Sequence, residues 1–201
     1  PYDSIINDFP DWKQRVGGKG LGLTEFGWNS AEDTSFASDY TGTLIAAANG
    51  GLDCALIWIL NGARLTDPGN YAINDHALWN FLPTSGGQLN EAFYIYGMLM
   101  KLIPSHSKVI KSETSSDRVR AAAFEDGNGD ITVVIQTESG MDGELRLAFD
   151  KKQERRFYKY SYEGLAAANG LPMLPESSES FEADEVLKDA DFSGGNRTVI
   201  Y

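Results

Sequence analysis

Two short apolar runs on either side of one helical segment dominate the first third of the chain. Residues 21–25 contain two leucines and end in Glu25, and residues 52–60 are almost entirely apolar. Runs of this length and character are typical of strands buried in a parallel sheet, so we assign Cys54 to the core. Between the runs, apolar residues recur at helical spacing: Phe36, Tyr40, Leu44, Ala47 and Ala48. This order predicts a strand–helix–strand unit with a right-handed crossover.

The segments around this unit are less regular. Residues 5–15 favour a helix, and the glycine-rich residues 17–20 favour a turn into the first strand. Residues 61–90 combine Gly, Pro and Asn with scattered aromatics, which predicts a long, ordered and functional loop. Asn90 is the predicted N-cap of a helix over residues 91–103. That helix is apolar almost all round, so it must be covered on most sides.

After residue 105 the apolar spacing changes from helical to alternating. Asp126 to Asp130 resemble a calcium-binding loop, but Ile131 and Thr137 stand where that motif needs Gly and Glu. We therefore predict a hairpin turn there, and a solvated excursion over the acidic, Ser-rich residues 172–193. Six short strands, the pattern of an antiparallel sandwich, are predicted at residues 109–111, 119–124, 131–136, 144–149, 157–162 and 198–201.

Composition narrows the classes of function. The 201 residues carry a formal net charge of -12, which would repel phosphate backbones and anionic lipid, so we expect neither nucleic acid nor membrane as a partner. One cysteine and two histidines exclude a disulfide framework and a Cys-rich metal site. We expect no metal and no cofactor. No apolar run approaches the roughly 18 residues of a transmembrane helix.

Glu25 is the strongest candidate for chemistry. Burying a carboxylate at a strand end is costly because desolvation penalises its charged form. Proteins with parallel α/β sheets place their reacting groups at the carboxyl ends of strands, which is where Glu25 stands. The alternative is a glutamate that only caps the next helix or pairs with a nearby Lys or Arg.

Three local features resemble the clan A retaining glycoside hydrolases. Residues 23–27, Leu-Thr-Glu-Phe-Gly, are similar to the end of the seventh barrel strand, where these enzymes keep their nucleophilic glutamate. Residues 56–58, Leu-Ile-Trp, are similar to the eighth strand, whose tryptophan forms the floor of the sugar subsite. Residues 88–94, which lead into the apolar helix, are similar to the passage from barrel to sandwich.

The resemblance implies an α/β plus all-β fold in two domains. Residues 1–105 would be the C-terminal part of a (β/α)8 barrel, with strands 7 and 8 and their helices, and residues 106–201 an antiparallel β-sandwich. Such a barrel needs about 250 residues, so strands 1 to 6 are absent from this sequence. We therefore expect a C-terminal fragment whose partner is the rest of the barrel, and which is inactive alone. The family's acid/base glutamate belongs to the fourth strand. Glu91 follows an asparagine as that residue does, but it comes after the nucleophile and is predicted to open a helix.

The resemblance also implies the site and its ligand. Glu25 would be the catalytic nucleophile of a retaining hydrolase acting on a polysaccharide or oligosaccharide, in a secreted or periplasmic setting. Sugars present flat CH faces that aromatic rings bind well. The predicted substrate-binding residues are Trp58, Trp28, Asn61 and Trp79, although Trp79 is equally suited to a loop core.

The alternative hypothesis is a non-catalytic module, either carbohydrate-binding or structural. It would use aromatics on the sandwich rather than the strand ends. The candidates are Phe157, Tyr158, Tyr160 and Tyr162, in a strand that equally suits a core face with scattered surface tyrosines.

Overall fold

The computed structural model describes residues 2–26, 36–57, 64–67, 70–72, 78–82, 86–137, 144–149, 157–162, 186–189 and 197–201. Its helices are α1 (Tyr2–Arg15), α2 (Phe36–Asn49) and α3 (Glu91–Leu102). The strands of the first half are β1 (Gly22–Phe26), β2 (Cys54–Ile57), β3 (Arg64–Asp67), β4 (Asn70–Ala72), β5 (Trp79–Leu82) and β6 (Gly86–Leu89). Those of the second half are β7 (Lys108–Ile110), β8 (Val119–Glu125), β9 (Ile131–Thr137), β10 (Leu145–Ala148), β11 (Tyr160–Tyr162), β12 (Val186–Asp189) and β13 (Arg197–Ile200).

The predicted strand–helix–strand unit is confirmed. β1 and β2 pair in parallel, and α2 lies between them in the chain. The turn that launches β1 contains Gly17 and Gly18 at φ values of 64° and 80°, a left-handed conformation that glycine adopts without steric cost. Residues 58–60 of the predicted second strand lie outside the described residues.

Helix α2 is buried over more of its circumference than the predicted stripe. In addition to Tyr40 and Ala47, the side chains of Thr41, Ile45 and Ala46 are buried. The reason is that α2 has neighbours on several sides, because it packs against α1, against α3, and against strands β8, β9 and β13. It therefore contacts both a helix of the first half of the chain and the strands of the second half.

The prediction of one long loop over residues 61–90 was wrong. Two antiparallel hairpins form within it, β3 with β4 and β5 with β6.

Asn90 stands at the predicted N-cap position of α3, but its side chain makes no capping hydrogen bond. Instead, the Asn90 backbone N–H donates to the Leu78 carbonyl oxygen at 3.0 Å, and the residue is buried. The start of α3 is thus fixed by the hairpin before it.

The second half of the chain is antiparallel, as predicted. Five strands form one sheet in the order β11-β13-β9-β8-β7, and β8 and β9 pair over seven residues each. Their connection is the predicted hairpin turn, in which the Asp126 carboxylate accepts from the backbone N–H groups of Asn128 and Asp130 at 2.8 and 2.9 Å. Within the predicted excursion over residues 172–193, Val186–Asp189 form β12, which pairs with β10, and the other residues of that range lie outside the described residues. The Val-Leu pair of β12 supplies apolar residues inside the acidic stretch.

The five-stranded sheet buries side chains on both faces. On one face, Ala122, Val134 and Ile200 form a core with Ile45 of α2 and with Ile95, Met98 and Leu99 of α3. The antiparallel sheet thus supplies part of the cover that the apolar helix was predicted to need. On the other face, the buried residues are Ala123, Val133, Ile135, Phe157 and Tyr201, against which Leu145 and Leu147 of β10 pack.

Candidate functional site

Glu25 lies at an irregularity near the carboxyl end of β1. Leu23 pairs with Ala55 and Phe26 with Ile57, so two residues of β1, Thr24 and Glu25, stand opposite one residue of β2. This is the count of a β-bulge, in which the extra residue bends the strand and redirects a side chain. Bulges are over-represented next to active sites. The backbone therefore departs from regular pairing at the residue that the sequence marks for chemistry.

The opposite end of the pair is held by Asp53. The Leu21 backbone N–H donates to Asp53 Oδ2 at 2.7 Å, and the Asp53 backbone N–H donates to the Leu21 carbonyl oxygen at 2.8 Å. Lys13 of α1 donates to the same carboxylate through Nζ. The hydrogen bond from Lys13, and to a smaller extent the one from Leu21, lowers the pKa of Asp53. One carboxylate thus ties α1 to the starts of both strands.

One face of the β1–β2 pair is covered. Leu23 and Ala55 pack against a cluster of three buried residues: Tyr40 of α2, Ala92 of α3, and Leu78, which directly precedes β5. The Tyr96 hydroxyl also lies 3.5 Å from the Ala55 carbonyl oxygen, to which it donates, and partial burial raises the pKa of Tyr96. Helices α2 and α3 therefore fix the height and tilt of the strand that carries Glu25.

The other face of the pair is open. Leu56 is 57% exposed, and Cys54 is exposed rather than buried in the core as predicted. A Cβ on Gly22 would lie 2.8 Å from Cys54 Sγ, so the absence of a side chain at Gly22 lets Cys54 Sγ lie close to the backbone of β1. The prediction of a strand buried on both faces was wrong within residues 54–57, because the described part of the structure leaves Leu56 and Cys54 exposed.

The remaining predicted site residues are placed only in part. Trp79 is the first residue of β5 and pairs with Leu89, but its side chain lies outside the described part of the structure, as does that of Glu25. Trp28, Trp58 and Asn61 lie outside the described residues altogether. Their convergence with Glu25 stays a prediction.

Sequence reasoning missed two features of this site. The bulge leaves no trace in composition, since Thr24 and Glu25 read as ordinary strand residues. Asp53 had a readable signal, because it is the lone charged residue in the predicted second strand. A carboxylate at the amino end of a strand can accept from backbone N–H groups, which is the role that it has here.

Within the described ranges, no group of three or more His, Cys, Asp or Glu side chains could hold a metal ion. None of the helices described is long and apolar enough to cross a membrane.

Comparison with solved structures identifies the architecture. The chain is similar to a family 30 glycoside hydrolase, an endoxylanase of Clostridium papyrosolvens C71, with a TM-score of 0.68 at 14% identity, covering 97% of this chain and 45% of that one. It is also similar to the catalytic domain of xylanase C from Talaromyces cellulolyticus (TM-score 0.61, 15% identity, 90% and 40% covered). A third similar structure is an endo-β-1,6-glucanase (TM-score 0.57, 14% identity, 97% and 38% covered).

In fold, the chain is similar to part of a glycoside hydrolase. The predicted likeness to clan A enzymes is thus confirmed at the level of the fold. The chain spans less than half the length of these structures. No protein-family model and no curated protein matches it.

Proposed function

We propose that this chain is the C-terminal portion of a retaining glycoside hydrolase and that Glu25 is its nucleophile. The observation that carries the proposal is the β-bulge at Thr24 and Glu25, near the carboxyl end of a parallel strand, in a chain that shares its fold with xylanases and a glucanase. The alternative role, a helix cap or an ion-paired glutamate, does not require a bulge.

The open face of the β1–β2 pair supports a partial barrel. A leucine that is 57% exposed beside an exposed cysteine is the pattern expected where further strands complete a closed sheet. We propose that residues 1–105 contribute strands 7 and 8 of a (β/α)8 barrel, and that the strands before them cover Leu56. Residues 106–201 would then form the β-sandwich, whose two layers are the five-stranded sheet and the β10–β12 pair.

The reaction needs two carboxyl groups about 5 Å apart on either side of the glycosidic bond. The ionised Glu25 carboxylate would attack the anomeric carbon while an acid outside this chain protonates the departing oxygen. A covalent glycosyl ester forms and the glycosidic bond breaks. Water, deprotonated by the same second residue, then attacks the anomeric carbon and releases Glu25. Because the second carboxyl group is not part of this sequence, the 201-residue chain alone should not turn over.

The proposed substrate is a polysaccharide or oligosaccharide chain, in a secreted or periplasmic setting. Trp58 follows the last described residue of β2, Ile57, which pairs with Phe26 next to Glu25. It is therefore the proposed floor of the subsite at the scissile bond. Trp28, Asn61 and Trp79 would extend that surface from the neighbouring segments.

The test is the hydrolysis rate of the intact enzyme with Glu25→Gln. The variant keeps the size of the side chain but cannot form the ester, so kcat should fall on the order of 10³-fold or more. Glu91→Gln is the matched control, because Glu91 opens α3 and should leave the rate near normal. Azide should restore turnover to Glu25→Gly by attacking the anomeric carbon in place of the carboxylate. Near-normal turnover of Glu25→Gln would remove Glu25 from the mechanism.

A further inference from the structure

A cavity of about 520 Å³ lies away from the parallel pair, at one end of the five-stranded sheet. Here β9 begins, β13 ends and the chain enters β11. Its lining includes Leu102, Asp130, Thr132, Tyr158, Tyr160 and Tyr201. Small-molecule sites have volumes of roughly 300 to 1,000 Å³, so this cavity has the size of a binding site.

The cavity exists because α3 ends before the sheet does. The last residue of the helix, Leu102, accepts a hydrogen bond through its carbonyl oxygen from Thr132 Oγ1 at 2.9 Å. Up to this point, α3 covers Val134 and Ile200 on the sheet. Past it, Tyr160 is half-buried and Tyr158 is 40% exposed. Because the helix stops here, Tyr158 and Tyr160 are not covered by α3 and stay partly accessible.

The aromatic residues that line the cavity differ in burial: Phe157 and Tyr201 are buried, whereas Tyr158 and Tyr160 are partly accessible. Phe157 and Tyr201 also line the cavity, and both are buried in the core on the other face of the sheet. Tyr201 is held further by two backbone hydrogen bonds with Val133, at 2.8 and 2.9 Å. Rings that are already immobile lose little conformational entropy when a ligand stacks on the surface that they support.

The polar groups of the lining define the ligand's charge. Asp130 is exposed at the mouth, and Thr132 and the tyrosines supply hydroxyl groups. The lining residues among those described include no Lys or Arg, and the chain has a net charge of -12. An anionic ligand would meet repulsion here. A ligand with flat apolar faces and several hydroxyl groups matches both the rings and the hydrogen-bonding groups.

We propose that this cavity is a second carbohydrate site that binds one or two rings of a neutral saccharide, apart from the strand that carries Glu25. The choice of a saccharide rests on the proposed function, whereas the location rests on the sheet alone. Such a site would hold a polymer on the enzyme while a different segment of it is cut.

The test is an NMR titration of the 201-residue chain with xylotetraose and with cellotetraose. We expect saturable shifts at Asp130, Thr132 and Tyr158 with at least one of the two sugars. Tyr158→Ala should weaken that binding by about tenfold, the worth of one aromatic contact, while Tyr158→Phe keeps it. Tyr158 is exposed enough for the variant to fold, which circular dichroism would check. Trp58→Ala is the control, since it removes the proposed catalytic subsite and should leave these shifts unchanged.

Several results would overturn the proposal. One is the absence of saturable shifts at the cavity with both sugars. Another is binding that is lost in Trp58→Ala and kept in Tyr158→Ala. Tighter binding of trigalacturonate than of the neutral sugars would refute the assigned ligand class. The catalytic proposal is tested separately, because Glu25→Gln should retain the titration at Tyr158 whether or not Glu25 is the nucleophile.

Discussion

The parallel β1–β2 pair and the five-stranded antiparallel sheet share helices α2 and α3 but differ in how they are covered. The antiparallel sheet has a buried core on each face. The parallel pair buries Leu23 and Ala55 toward the helices and leaves Cys54 and Leu56 exposed. The antiparallel sheet is thus covered on both faces, and the parallel pair on one face only. The proposed chemistry belongs to the pair with the open face, in line with the proposal that further barrel strands complete it.

Matched core truncations should show the largest difference between the two regions. Ile135 is 1% exposed in the antiparallel sheet, so Ile135→Ala should lower the free energy of unfolding by about 2 to 5 kcal/mol. Leu56→Ala in the same chain should cost less than about 0.5 kcal/mol, because most of that side chain already meets water. Urea denaturation measures both.

The Leu56 result should change in the intact protein. If further strands cover that face, Leu56→Ala should there cost about 2 kcal/mol or more. An equally small cost in the chain and in the intact protein would contradict the partial-barrel proposal.

Helix packing around the parallel pair should respond to two glycines in opposite ways. A Cβ on Gly50 would lie 2.8 Å from Phe9 Cβ, so Gly50→Ala should force α1 away from α2 and cost about 1 to 3 kcal/mol. Gly97 in α3 has no atom within 4 Å of the same position, so Gly97→Ala should stabilise by about 0.5 to 1 kcal/mol. Thermal unfolding gives both signs. Stabilisation by Gly50→Ala would contradict the α1–α2 packing.

Acid should loosen the parallel pair by a smaller amount. The Lys13 and Leu21 hydrogen bonds lower the pKa of Asp53 below its ordinary value of 3.8. The ionised, hydrogen-bonded carboxylate therefore stabilises the fold fully at pH values above 3.8. That contribution is lost as the pH falls through the lowered pKa. Amide exchange of Leu21 and Asp53, corrected for intrinsic rates, should lose protection as the pH falls below 3.8 and through the lowered pKa of Asp53.

The effect of acid on Asp53 in the parallel pair can be compared with its effect on Asp126 in the antiparallel sheet. Asp126 also has a lowered pKa, from hydrogen bonds within the β8–β9 turn. There the seven-residue ladder should confine any opening to the turn itself. Asp53→Asn should remove the pH dependence at Leu21. Persistence of that dependence in the variant would rule out the Asp53 clamp as its cause.

The sequence allowed prediction wherever local pattern and final environment agree. The order of β1, α2 and β2 followed from apolar runs, and the apolar helix from its lack of a polar face. The hairpins between residues 64 and 89 were missed because their strands are only three or four residues long, and Gly86–Leu89 shows no alternation of apolar and polar residues. The exposure of Leu56 was not predictable from local pattern, since burial depends on which elements pack on that face and not on the strand's own residues. The bulge at Thr24 and Glu25 arises from pairing with β2, which no local signal encodes.

The most direct test of the central claim is covalent trapping of the nucleophile in the intact enzyme. A 2-deoxy-2-fluoro xylobioside or cellobioside with a good leaving group slows hydrolysis of the glycosyl ester more than its formation, so the ester accumulates. Peptide mapping by mass spectrometry should then place the added sugar on Glu25, and Glu25→Gln should remain unlabelled. A label on any other carboxylate, with Glu25 unmodified, would contradict the assignment of the nucleophile.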